Sequence, residues 1–228
     1  MINFTDTLLI LASYLLGSIP SAFIVGHWIK GRDLRQYGSG TVSGSMVYEH
    51  IARWAVVPVG LFDVAKAALP AWLALQLGGG LGMAVTCGLA AAIGHNWPIY
   101  LNFTGGRGLS TFIGLLLIIF PLGIPWLGVF LLVGYLLKDS PPYAIFSLTT
   151  MPALAAWLDG RPVVIWATIF MLIITVVKRL EANRRPLPGD ARECRVVLLR
   201  RLILDRDITS HRDWIDRVPE ENQVHEKQ

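Results

Sequence analysis

Charge is scarce along most of this 228-residue chain. Only 16% of residues are charged, against about one quarter in an ordinary soluble domain. The shortage is also lopsided: residues 1–177 carry eight Lys/Arg and six Asp/Glu, residues 178–228 twelve and ten. Hydrophobic residues reach 54% and mean hydropathy is +0.52, which excludes a disordered chain and a soluble enzyme alike. Cysteine is nearly missing. Cys87 in an apolar stretch and Cys194 near the charged end form no disulfide framework, and without neighbouring histidines they form no metal site, so no metal is expected. No basic residue precedes the first apolar stretch, which is longer than a signal-peptide core, so it reads as a membrane helix instead of a cleaved leader. No basic run is interleaved with exposed aromatics, so nucleic acid is not an expected partner. The net charge of +4 is the cytoplasmic bias of Lys and Arg in a membrane protein.

What is present is apolar length. A membrane crossing needs roughly 20 apolar residues, with about 17 at the lower end. Residues 7–29, 55–77, 81–95, 142–158 and 162–177 qualify, and the block 110–137, broken at Pro121-Leu122-Gly123, divides into two short tilted helices. The expected fold is all-α: a polytopic membrane protein of about seven transmembrane helices. Loops 30–54, 96–109 and 138–141 and the tail hold most of the basic residues, which puts the N-terminus outside and the C-terminus in the cytoplasm. Trp28, Trp54, Trp97 and Trp157 sit near predicted helix ends, as interfacial tryptophans do. Residues 1–185 form the membrane body and 186–228 a charged cytoplasmic tail. In the tail, 194–204 is a short strand or interfacial helix, and 205–228 is mixed-charge and expected to be mobile.

The polar motifs fall on one side of the membrane. The first loop carries Arg35, Gly38, Ser39, Gly40, Thr41, Ser43 and Ser45; its glycines allow backbone N–H groups to converge and its hydroxyls donate, which suits an anion. The plain alternative is a flexible connector. The second loop contains Gly105-Gly106-Arg107-Gly108 directly before a predicted helix, whose N-terminus adds free N–H groups and partial positive charge. His95 stands at the end of the preceding helix and reads either as a functional group or as a helix-end residue packed on a tryptophan. Asp63 and Lys66, three apart on one helix face, are charges inside an apolar span. They form a packing ion pair, or else Lys66 faces the phosphate loops with Asp63 orienting it. Asn183, just past the last span, can reach a substrate oxygen.

These residues together resemble the membrane-bound bacterial acyl-phosphate:glycerol-3-phosphate acyltransferases. Leu16-Gly17-Ser18-Ile19-Pro20, Asp33-x-Arg35 with Gly38-Ser39-Gly40, Asp63-x-x-Lys66, Gly94-His95-x-x-Pro98 and Gly105-Gly106-Arg107-Gly108 with Thr111 occur in the family's order between about residues 8 and 185. The resemblance implies seven helices in the bacterial inner membrane, with the active site facing the cytoplasm. It implies transfer of a fatty acyl group from acyl phosphate to the 1-hydroxyl of glycerol 3-phosphate, giving lysophosphatidic acid, with no cofactor. The chain departs from the family pattern at Thr41, Ser43, Gly44, Ser45 and Met46, at Glu49 where the family has a basic residue, at Arg107 for lysine and at Leu180 for histidine.

An acyl phosphate is already activated, so the protein need only hold two phosphate-bearing molecules together and stabilise charge on the leaving phosphate. Ser39, the Gly38–Gly40 backbone and Arg35, with Ser43 and Ser45, are expected to hold one phosphate. Gly105, Gly106, Arg107 and Gly108 are expected to hold the other, with Lys66 between them and His95 the protein's candidate base. Membrane lipids are the remaining expected partners; oligomeric state is open. Two other readings stay open on sequence alone: a silent relative that binds acyl phosphate or anionic lipid, and a small-solute transporter.

Overall fold

The computed structural model describes residues 3–217. All regular structure among them is helical, as hydrocarbon requires of apolar segments that must pair their own backbone groups. In chain order the helices are α1 (Phe4–Gly17), α2 (Ser21–Lys30), α3 (Gly44–His50), α4 (Val56–Gln76), α5 (Gly80–Asn96), α6 (Leu109–Ile119), α7 (Gly123–Leu136), α8 (Ser140–Leu158), α9 (Pro162–Glu181), α10 (Ala191–Leu204) and α11 (His211–Ile215). By length and composition, three stretches suffice to cross a membrane: Phe4–Lys30, Arg53–Gln76 and Pro162–Arg184; α6 and α7 are shorter apolar helices. The division of 110–137 at Pro121–Gly123 is present. At about 1.5 Å per residue, the 11 residues of α6 cover only about half of a 30 Å hydrocarbon core.

The first apolar stretch differs from the continuous helix expected over 7–29: it breaks at Ser18-Ile19-Pro20, between α1 and α2. Pro20 has no N–H and its ring clashes with the preceding turn, so the ladder cannot run through it. Ser18 caps the broken end with its hydroxyl, donating to the Tyr14 carbonyl at 2.9 Å.

Two cores organise the rest. The larger gathers Phe112, Leu115, Leu127, Leu148, Met151 and Met171 from α6 to α9. The smaller packs Leu34, Val42, Met46, Val47 and Ile51 against Val59 of α4 and Leu101, so loop 30–54 is anchored and not a flexible connector. It also accounts for one departure from the family pattern, since Met46 is a buried core residue. Trp28, Trp54 and Trp157 are exposed as expected of interfacial residues. Trp97 is instead half-buried: its indole donates to Glu181 Oε2 and its carbonyl accepts from the Tyr14 hydroxyl. Beyond the last long helix, 194–204 falls within α10 and is helical. Residues 205–217, expected to be mobile, pack on the body through Trp214, which is 4% exposed. Residues 218–228 of the tail lie outside the described residues.

Helices α1 and α5 approach to backbone contact. A Cβ on Gly17 would strike the Ala91 backbone, and one on Gly94 the Tyr14 carbonyl. Small residues at such crossings let membrane helices gain van der Waals contact. Gly17→Ala should therefore lower the thermal unfolding midpoint of the detergent-purified protein, by overpacking worth about 1–3 kcal/mol. Gly82→Ala, on the facing helix α5 but in open space, should leave it unchanged or raise it; equal shifts would contradict this packing.

Candidate active site

The helix break generates the site. At the interruption, the Ile19 carbonyl accepts from Lys66 Nζ at 3.2 Å as well as from the Ser21 N–H at 3.1 Å, and Ser21, the first residue of α2, donates its hydroxyl to Asp63 Oδ1 at 2.7 Å. Lys66 Nζ lies 2.9 Å from the same carboxylate oxygen, and His95 Nδ1 3.7 Å from it. Asp63 and Lys66 are each about 2% exposed. A charge buried in this setting persists only when paired and hydrogen-bonded, and here one carboxylate gathers three helices. Ser18, Ile19, Ser21, Lys66, His95 and Gly105 are among the residues lining a cavity of about 10 Å³ beside it.

The two glycine-rich loops meet over this cluster. The Val42 N–H donates to the Gly105 carbonyl at 3.3 Å, and the Asn183 side-chain amide donates to both the Gly40 carbonyl (2.9 Å) and the Gly105 carbonyl (3.3 Å). His95 seats the second loop from below: its carbonyl accepts the Gly106 N–H at 3.1 Å, and its ring packs so closely on Gly106 that a Cβ there would overlap Nε2. Along the first loop the hydroxyls form a row, Ser39 to Thr41 at 2.7 Å, Thr41 to Ser43 at 3.1 Å and Ser43 to Ser45 at 3.0 Å. Thr41, where the family has asparagine, thus continues a chain of donors. Gly108 takes a left-handed conformation (φ 78°) at the start of α6, and Thr111 donates to its carbonyl at 2.7 Å.

Two expected cations are engaged elsewhere. Arg35 is held by Asp33, with Nη2 to Oδ2 at 2.6 Å, and lies over the Phe23 ring. Burial raises the Asp33 carboxyl, but the hydrogen bonds and charge of Arg35 outweigh it and hold the group below the usual carboxylate range. Arg107 donates from Nη1 to the Lys178 carbonyl (2.9 Å) and from Nε to Asp205 Oδ2 (2.9 Å). Of the proposed site residues, Gly38, Ser39, Gly40, Ser43, Ser45, Asp63, Lys66, His95, Gly105, Gly106 and Asn183 belong to one connected cluster. Arg107 and Gly108 flank it, and the Arg35 guanidinium points to Asp33.

Comparison with known proteins bears on this arrangement. The profile of the glycerol-3-phosphate acyltransferase family matches residues 7–187. Glycerol-3-phosphate acyltransferase 4 of Dehalococcoides mccartyi (strain CBDB1) is 33% identical over 217 residues, covering 92% of this chain and 93% of its own. The glycerol-3-phosphate acyltransferase of Synechococcus sp. (strain CC9902) is 32% identical, covering 82% and 96%. The chain belongs to the glycerol-3-phosphate acyltransferase family. Among solved structures, the glycerol 3-phosphate form of PlsY (YgiH), an integral membrane glycerol 3-phosphate acyltransferase, superposes with a TM-score of 0.71 at 25% identity, covering 79% of this chain and 91% of that one. The lysophosphatidic acid form gives 0.66 at 24%, over the same shares.

For this acyltransferase, Ser21 and Lys178 were missed in the sequence. Ser21 was signalled by Pro20 before it, a helix-start pattern inside an apolar run. Lys178 was visible only as a positive anchor, yet its side chain is fully buried, bonds Glu181 at 3.0 Å and sits 5.0 Å from the centre of the Trp97 ring. Glu49, the reversed charge, is exposed on α3.

The buried pair yields a decisive contrast. Asp63→Asn alone strands the Lys66 ammonium and should cost about 3–5 kcal/mol. Asp63→Leu with Lys66→Met removes both charges and should recover most of that stability while acyl transfer stays lost. Unfolding midpoints and turnover on the same purified samples check this. Recovery of activity along with stability would reduce the pair to packing.

Proposed function

We propose that this family member transfers a fatty acyl group from acyl phosphate to the 1-hydroxyl of glycerol 3-phosphate, releasing phosphate and giving lysophosphatidic acid for phospholipid synthesis. The observation that carries the reading is the meeting of the Gly38–Ser45 hydroxyl loop and the Gly105–Gly108 turn, bridged by Asn183, above buried Lys66. Two phosphate-bearing substrates need two neighbouring sets of donors, and both loops supply backbone N–H groups together with hydroxyls or a guanidinium.

In this mechanism the Gly38–Gly40 backbone, Ser39, Ser43 and Ser45 hold one phosphate, with Arg35 close by in the same loop. Gly105, Gly106, Gly108 and Arg107 hold the other. The glycerol oxygen attacks the acyl carbonyl carbon, and the bond from that carbon to the phosphate oxygen breaks. The hydroxyl proton passes to phosphate or to His95, whose other ring nitrogen faces Asp63. Lys66 stabilises negative charge shifting onto the leaving phosphate. No covalent enzyme intermediate is needed. Asn183 keeps the two loops in register so that the reactants share one geometry.

The membrane placement belongs to the same proposal. Residues 1–185 form the acyltransferase unit, crossing the bacterial plasma membrane seven times with the N-terminus outside; Phe4–Lys30 counts as one crossing despite its break. Both glycine-rich loops and the tail then face the cytoplasm, where water-soluble glycerol 3-phosphate arrives, while the acyl chain lies between apolar helices. Residues 186–228 are a cytoplasmic addition. Asp63 is paired with Lys66, Ser21 and His95 beside the two loops, which favours the acyltransferase reading over a transporter.

Purified protein in lipid nanodiscs, supplied with acyl phosphate and glycerol 3-phosphate, should release phosphate and form lysophosphatidic acid. No product from folded protein would reject the assignment. Arg107→Ala should lower kcat/KM by about 10²–10³, the usual cost of one transition-state donor. Arg107→Lys should lower it less, and an unchanged rate in Arg107→Ala would remove Arg107 from the site.

A further inference from the structure

The segment beyond the family-matched region closes over the site. Helix α10 is fastened first: Arg179 Nη1 donates to the Leu202 and Ile203 carbonyls (2.8 and 3.1 Å), and buried Arg201 donates to the Leu180 and Pro186 carbonyls (3.3 and 3.2 Å). The chain then turns at Asp205, in the left-handed region (φ 56°). Arg206 grips Asp139 with two bonds of 2.7 Å, and the following residues run back across the loops. Trp214 lies between two guanidinium groups, Arg185 at 4.3 Å and Arg217 at 4.0 Å from its ring centre.

Two contacts of this segment fall on the phosphate donors. The Asp205 carboxylate takes Arg107 Nε at 2.8–2.9 Å, with side chains only 13% and 15% exposed. The Arg217 carbonyl accepts the Gly38 N–H at 2.9 Å. One oxygen acceptor thus occupies a donor of each loop, as a phosphate oxygen would. Arg185 is tied up as well, donating to the Gly38 carbonyl at 3.1 Å while stacked on Trp214. The cavity among Ser18, Lys66, His95 and Gly105, about 10 Å³, is far smaller than the roughly 300–1,000 Å³ typical of small-molecule sites, and two substrates must fit.

We propose that residues 205–217 are a strap that the substrates displace: Asp205 and Arg217 hold the donors of the two phosphate seats when these are empty, and phosphate binding at Arg107 and Gly38 releases the segment. The proposal rests on the acyltransferase reading of the site. A phosphate dianion carries more charge and more acceptor oxygens than a carboxylate or a backbone carbonyl, so it outcompetes both for the same donors. The family profile ends at residue 187, so the strap lies outside the residues that the profile matches. The opposing possibility is that Asp205 permanently orients Arg107, and the two differ in sign.

Hydrogen–deuterium exchange on the full chain in phosphatidylcholine nanodiscs tests this without any substitution. Adding glycerol 3-phosphate or inorganic phosphate should speed exchange of amides in 205–217 severalfold while 191–204 stays protected. Unchanged or slowed exchange in 205–217 overturns the strap. Kinetics supply the second readout. Asp205→Asn, and separately Trp214→Ala, should lower KM for a phosphate-bearing substrate by about three- to tenfold with kcat kept. A raised or unchanged KM overturns the strap. Wild-type protein that binds phosphate but forms no lysophosphatidic acid would reject the acyltransferase reading, and the exchange measurement would still decide the strap.

Discussion

One carboxylate, that of Asp63, connects the membrane body to the site. Unpaired, it would cost several kcal/mol in a medium that solvates charge poorly. It is satisfied by Ser21 from α2, Lys66 from its own helix and His95 from the end of α5, and each of those partners has a second task. Lys66 also caps the broken end of the first apolar stretch at Ile19. His95 also seats Gly106. A helix break costs backbone bonds, and membrane proteins tolerate one where neighbouring polar groups line a cavity. Here the break and the buried charge stabilise each other.

That coupling sets the proposed site at the edge of the apolar body. The reactants suit such a boundary, one being a small polar phosphate ester and the other carrying a long acyl chain. A preorganised set of N–H groups, hydroxyls and cations needs rigid support, and the support is visible: a small core under the first loop, Asn183 clamping the two loops, and glycine contacts holding α1 against α5. Residues 205–217 add a further layer over the loops, built from the same kinds of contact.

Much of this was legible because apolar length and glycine–hydroxyl clusters are local features. The helix ends fall within a few residues of those expected, and the two glycine-rich loops that meet in the fold were both marked. The break at Ser18–Pro20 was not anticipated, although Pro20 is plain in the sequence. Hydropathy weighs side chains and not backbone bonds, and membrane helices often tolerate proline, so the residue alone does not decide. The pairing of Arg35 with Asp33, two residues away, is local and was overlooked in favour of a substrate role. Asp205 is a different case. It meets Arg107 across 98 positions, and no pattern within one chain marks such a contact in advance. Trp97 fitted an interfacial belt by position, and only the fold reveals that Tyr14, Lys178 and Glu181 converge on it.

The most direct test of the account is a structure of the protein with glycerol 3-phosphate and a non-hydrolysable acyl phosphonate bound together. The account predicts one phosphorus group on Gly38–Ser45, the other on Gly105–Gly108, and the glycerol 1-oxygen within about 3.5 Å of the acyl carbonyl carbon. Both groups on a single loop, or reacting atoms too far apart to bond, would contradict it.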